Sequence, residues 1–196
     1  MIADNHRFQQ AIQKIDQANS SDPHKEIRNG KEYPKELLYS QRMTECLLKF
    51  EPQASEALQL AARAQHICRW TIARDSYSMD RKGYLLWRTE LKRFHAEKTQ
   101  EILLEYGYDQ GTIDHVKSLI LKQRLKTDPE SQTLEDVVCL VFLDHYFGDF
   151  AIKHPTEKVV SILKKTWNKM SEKGRKAALT LSFSKEELEL VNMAIS

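Results

Sequence analysis

Two histidines, an adjacent pair of acids and a run of cations are the residues whose types and spacing could support chemistry. His66 lies in LAARAQHICRW and His95 in RFHAEK, each within a stretch of helical apolar spacing. Leu91, His95 and Ile102 fall on one helical face, which turns His95 towards a core. Glu135 and Asp136 stand directly before the apolar run VVCLVFL (137–143), which draws at least one carboxylate inward. A buried charge is costly unless it is paired or bound to a metal. Two inward histidines and an inward carboxylate on three packed helices therefore predict a divalent-metal site at His66, His95 and Asp136. Glu97 or Glu135 would serve as a further ligand or as general base. A metal there would lower the pKa of a bound water and make it a nucleophile. The same residues also fit a set of satisfied core polar groups, with Asp136 paired to an arginine or histidine.

The cations cluster around the histidines. Between residues 63 and 98 stand nine basic residues against four acids, +5 within a chain of net charge +2. Arg69, Arg74, Arg81, Arg88 and Lys92 are the groups that would neutralise phosphate. Trp70 and Tyr77 offer flat surfaces for a base. Arginine forks among aromatics suit a phosphorylated, planar small molecule, with a nucleotide the favoured case. The same surface suits RNA or an anionic protein partner in a module without catalysis, and a solvated helix face would also carry such charges. Residues 71–82 break the helical pattern, and binding groups favour loops set between rigid elements.

The elements that must hold these residues read as helices, because apolar residues recur at spacings of three and four rather than two. Phe8, Ile12 and Ile15 mark a first helix, closed by Asn19-Ser20-Ser21-Asp22-Pro23. A polar loop leads to Pro34, which suits the first turn of a second helix. A third, alanine-rich helix is predicted over 53–70, a long fourth from Gly83 to about Tyr106, and a fifth capped by Asp109. Asp128-Pro129 opens a sixth whose middle is apolar on every side and belongs at the centre of a bundle. His154-Pro155 begins another, and Ser184 with Glu187 forms a capping box for the last. No stretch reads as a strand. The expectation is an all-α, single-domain bundle of eight or nine helices over 1–196, with the site-bearing core at 53–150.

Composition narrows the classes. Apolar residues at 41% are too many for disorder, and a net charge of +2 is too small to imply nucleic acid by itself. The longest apolar run has seven residues, far short of the ~20 that span a bilayer, so no membrane association is expected. MIADNHRFQQ lacks the regions of a secretory signal. Cys46, Cys68 and Cys139 are widely spaced and odd in number, which fits three buried thiols in a reducing cytoplasm. His95-Ala96-Glu97 matches the H-x-E of zinc deaminases without the cysteine pair that must follow it. There is no glycine-rich phosphate loop and no G-x-S-x-G.

The order His66, His95, Asp136 on successive helices resembles the HD-domain metal phosphohydrolases, which are all-helical and act on phosphate esters and nucleotides. Their pattern is H…HD…D, and this chain departs from it by reading His95-Ala96. Over most of its length the chain also resembles an uncharacterised bacterial and fungal family, the domain of unknown function numbered 4202. The stretches that carry the resemblance are YPKELLYSQRM (33–43), LAARAQHICRW (60–70), YSMDRKGYLLWRTELKRFHAEK (77–98), LEDVVCLVFL (134–143) and KTWNKM (165–170). That resemblance implies no activity, but its longest motif coincides with the cationic stretch.

Overall fold

Most of the helices begin where a side chain supplies an acceptor for otherwise unpaired N–H groups. A computed structural model describes residues 2–125 and 127–195. In it Ser55 accepts from Leu58, Asp80 from Gly83, Asp109 from Thr112, Asp128 from Glu130 and Ser171 from Gly174. Ser184 and Glu187 exchange reciprocal bonds, the capping box read from the sequence. Among the described residues there are ten α-helices, slightly more than the eight or nine expected.

In chain order they are α1 (Ile2–Ser20), α2 (Lys35–Phe50), α3 (Glu56–Ala64), α4 (Arg81–Glu105), α5 (Gln110–Leu121), α6 (Pro129–His145), α7 (Phe147–Ile152), α8 (Thr156–Lys169), α9 (Glu172–Ala178) and α10 (Lys185–Ile195). The short helices α7 and α9 account for the excess. One expectation fails outright, because the residues up to Tyr33 are not all polar loop and Pro34 ends a strand rather than opening α2. Residues 25–34 form an antiparallel hairpin of β1 (Lys25–Arg28) and β2 (Lys31–Pro34), closed by Asn29 and Gly30 at φ 53° and 75°. An Asn-Gly pair with two positive φ values is the preferred two-residue hairpin turn, and it overrides the polar character of the flanks. The third helix also stops at Ala64 rather than Trp70. Cys68 takes a left-handed conformation (φ 51°), and its N–H is held at 3.0 Å by the side chain of Asn19.

The chain divides into two compact units. The first contains the residues up to Glu45 together with Gln53–Arg124; the second contains Cys46–Pro52 and the chain from Leu125 onward. The 53–150 segment read as the site-bearing core is therefore shared between them. In the first unit α5 packs on α3 and α4, and α1 packs on the same two helices. Its interior is built from Ile15, Leu58, Leu60, Ile67, Leu103, Ile113, Leu119 and Ile120, with Ala57, Ala61, Ala62 and Ala64 letting α3 sit close to its neighbours. In the second unit α6 packs against α7, α8 and α9, and Val137, Cys139, Leu140, Val141 and Leu143 of its apolar run are buried. All three cysteines are free, but only Cys139 is buried as expected, Cys46 and Cys68 being half-buried, and no described helix is long and apolar enough to cross a membrane.

Candidate functional site

The start of α2 is tied down by residues that precede the hairpin. Buried Asp22 accepts from the backbone N–H of His24 and of Glu36, each at 2.9 Å, and the N–H of Lys35 donates to the carbonyl of His24 at 2.9 Å. The first two amides of α2, those of Lys35 and Glu36, are thereby satisfied, and the two ends of the hairpin are drawn together. The consequence is local and chemical: Glu36 is turned into the first unit, with only 7% of its surface exposed.

The turn after α3 brings the partners of Glu36. The His66 ring stacks on Tyr39, with centroids 4.1 Å apart, and its Nδ1 lies 3.3 Å from Glu36 Oε2. Arg69 reaches His66 Nε2 with its Nη1 at 3.0 Å and has its Nε 3.9 Å from Glu36 Oε1. A guanidinium only donates, so His66 Nε2 accepts, and its proton belongs on Nδ1, facing Glu36. From α4, His95 contributes a ring 6.0 Å from that of His66. Its Nδ1 donates to the carbonyl of Ile67 at 2.8 Å, leaving Nε2 buried without a hydrogen-bond partner among the described residues.

Burial and charge set the protonation of this group. Burial pushes Glu36 up to about 7, against the pull of Arg69 and Lys35 towards ionisation. Burial, reinforced by Arg69, holds His66 well below its ordinary value, and burial with His66 beside it holds His95 down to about 3. At neutral pH both imidazoles are uncharged, and the cation they share with the carboxyl group is the Arg69 guanidinium.

Outside Glu36 and Arg69 the surface opens into a cleft of about 470 Å³. Lys35, Arg69 and Arg74 bring positive charge to its lining, with His24 beside them and exposed Asp75 opposing. Trp70, Ile72, Met79 and Trp87 supply apolar surface. Trp87 is locked by its indole N–H to the carbonyl of Ile72 at 2.9 Å and lies under Arg69, 4.9 Å from ring centroid to guanidinium. Arg74 donates to the carbonyls of Tyr77 (3.1 Å), Ser78 (2.8 Å) and Asp80 (3.3 Å), so it shapes the loop as well as charging the cleft.

The structure gathers some of the expected residues and separates others. Arg69, Trp70 and Arg74 line the cleft; Tyr77, Arg81, Arg88 and Lys92 do not. Arg81 is exposed at the start of α4, and Arg88 lies over the ring of Tyr84 at 5.7 Å. Other cations of the basic stretch are engaged elsewhere: Arg63 forks onto Asp16, Arg93 meets Glu90 and Lys98 meets Glu101. Glu97 is exposed, and Glu135 is buried in the second unit, 3.6 Å from Lys169 Nζ.

His66 and His95 come together within the first unit. Asp136 belongs to the second unit and is committed there to the start of α9. Its Oδ1 accepts from Ser171 N–H at 2.8 Å and Gln132 Nε2 at 3.1 Å, and its Oδ2 takes the Ser171 hydroxyl. A Cβ at Gly174 would come within 2.6 Å of this carboxylate. Asp136 is inward because a helix terminus needs an acceptor, and both nitrogens of His66 are engaged. Among the described residues no three His, Cys, Asp or Glu are grouped to hold a metal ion. The carboxyl group beside the histidines is Glu36, which the sequence reading passed over. The signal that could have found it is Asn29-Gly30, which places a hairpin immediately before α2.

The sequence model of the family described as Domain of unknown function (DUF4202) matches residues 9–191. The chain belongs to that family. In this DUF4202 chain the site falls on the motif stretches: Glu36 and Tyr39 in YPKELLYSQRM, His66 and Arg69 in LAARAQHICRW, Trp87 and His95 in the long motif at 77–98. No curated protein and no solved structure matches the chain.

Proposed function

We propose that the cleft of the first unit binds a phosphorylated small molecule with a planar portion, a nucleotide being the favoured case. The observation that carries this is the meeting of Lys35, Arg69 and Arg74 with the aromatic surface of Trp70 and Trp87 on one cleft of about 470 Å³, a volume suited to a small ligand. Arginine forks match phosphate oxygens, and an indole face accepts a base or a guanidinium with little ordering cost.

Titration calorimetry of the full-length protein with AMP, ATP and inorganic phosphate tests it. Arg69→Ala should weaken all three by about tenfold or more, and Trp70→Ala should weaken the nucleotides while sparing phosphate. The cleft has another role if none of the three binds, or if Arg69→Ala leaves their affinities unchanged.

A second reading has its own observation. Met79, Tyr84, Leu85 and Leu86 are exposed among the cations Arg81, Lys82 and Arg88, a surface suited to an anionic protein partner or RNA. Such docking would be steeply salt-dependent, lost on combined substitution of Arg81, Lys82 and Arg88, and indifferent to both histidines.

A further inference from the structure

Among the groups lining the cleft, Glu36 alone combines burial with a proton it can give up. Asp75, the other acid on the lining, is exposed. The groups that face Glu36 come from several elements: Lys35 from its own helix, Asp22 from the loop before the hairpin, Arg69 and His66 from the turn after α3, and His95 from α4. Of these, Arg69 and Lys35 are cations on the cleft, where a phosphate would be held, and the two imidazoles, which do not line the cleft, are uncharged. A phosphate dianion beside Glu36 adds negative charge next to it and so favours the protonated acid. Once the proton has left, the carboxylate faces the Arg69 guanidinium and the Nδ1–H of His66. Charge then appears where a cation and a donor already stand, which is the condition for stabilising a transition state.

We propose, on the phosphate reading of the cleft, that Glu36 is the general acid for hydrolysis of a phosphomonoester, giving its carboxyl proton to the ester oxygen as the P–O bond breaks. A water oxygen forms the new bond to phosphorus. The electron pair of the breaking bond goes to the ester oxygen, which takes the proton of Glu36 and leaves as the alcohol. The proton shed by the attacking water returns to the Glu36 carboxylate by way of the departing phosphate. One water is consumed, one alcohol and one inorganic phosphate are formed, and nothing is oxidised or reduced. His66 acts as a positioning residue that holds Oε2. His95 positions the turn carrying His66 and Arg69 through its bond to the Ile67 carbonyl.

General-acid catalysis matters most for a poor leaving group, and this separates a catalytic Glu36 from a structural one. The test uses the full-length protein with AMP, whose alkoxide leaves poorly, and p-nitrophenyl phosphate, whose phenolate leaves without a proton. Glu36→Gln should lower kcat/KM for AMP by about 10²–10⁴-fold, change that for p-nitrophenyl phosphate by less than about tenfold, and leave AMP affinity intact. Glu36→Asp, which keeps the acid but withdraws it by one methylene, should show the same leaving-group selectivity in weaker form. The inference is overturned if both variants slow the two esters equally or slow neither. It is also overturned, with the binding reading left standing, if the wild-type protein binds AMP and releases no phosphate. If neither AMP nor inorganic phosphate binds, the phosphate reading of the cleft falls and this inference falls with it.

Discussion

Asp136 in the second unit and Glu36 in the first are both buried carboxyl groups beside the beginning of a helix, at 2% and 7% exposure. Asp136 accepts from the amide and hydroxyl of Ser171, the residue that caps α9, and from Gln132 one turn back on its own helix. Asp22 already holds the backbone N–H of Glu36, and the Glu36 oxygens face His66 at 3.3 Å and Arg69 at 3.9 Å. One fold therefore uses one buried acid as a strut and leaves the other incompletely satisfied at the edge of a cationic cleft. Burial alone does not distinguish them. What does is whether hydrogen-bond donors in the fold already account for the charge.

Three measurements would sharpen or break that contrast. The largest effect is expected at Asp136. Asp136→Ala removes the acceptor for the Ser171 amide and hydroxyl and should cost on the order of 3 kcal/mol in urea unfolding at pH 7. A loss of only a few tenths would show that Asp136 is not a strut.

Glu36→Gln should have the opposite sign. Glu36 titrates at about 7 in the fold, above its ordinary value of 4.5, so its stabilising contribution is full below 4.5 and is lost as pH rises through about 7. Glutamine has no such loss, and the variant should be more stable than wild type by on the order of 2 kcal/mol at pH 8.5. The contrast between the two acids collapses if Glu36→Gln is as destabilising there as Asp136→Ala.

The smallest effect belongs to His95, whose depressed value of about 3 against an ordinary 6.5 means that its contribution is present above 6.5 and lost as pH falls towards 3. His66 has the same sign and Glu36 the reverse, so the wild-type profile mixes them. The difference between wild type and His95→Gln isolates one imidazole. Between pH 7.5 and 5.5 the wild type should lose about 1 kcal/mol more than the variant. Equal slopes would mean that His95 is accessible to protons in the folded state.

Much of the scaffold was legible because its signals are local. Asp109, Asp128 and the Ser184–Glu187 pair cap the helices they were expected to cap, and the apolar faces of α5 and α6 are buried as their periodicity required. The approach of His66 to His95 was also legible, since each sat in an apolar helical context. The rest was less so for identifiable reasons. Asn29-Gly30 was hidden by the polar residues around it, and without the hairpin Glu36 reads as an ordinary exposed acid in a first helical turn. Asp136 was rightly read as inward, but a capping role and a ligand role leave the same trace in the chain, an acid next to an apolar run.

What the sequence by itself determined is the all-helical class with its longer helices and the place of the cationic, histidine-bearing stretch, because caps, periodicity and composition act over a few residues. Only the tertiary structure decided which carboxyl group stands beside the histidines and which cation completes the group. Glu36 is 30 residues from His66 in sequence, while Arg69 is close to it but reaches its ring only because the chain turns after α3. Such meetings depend on where loops close and on how a terminus such as that of α2 is satisfied. Desolvation then gave Glu36 its raised pKa, a property that no residue carries before the rest of the fold has excluded water from it.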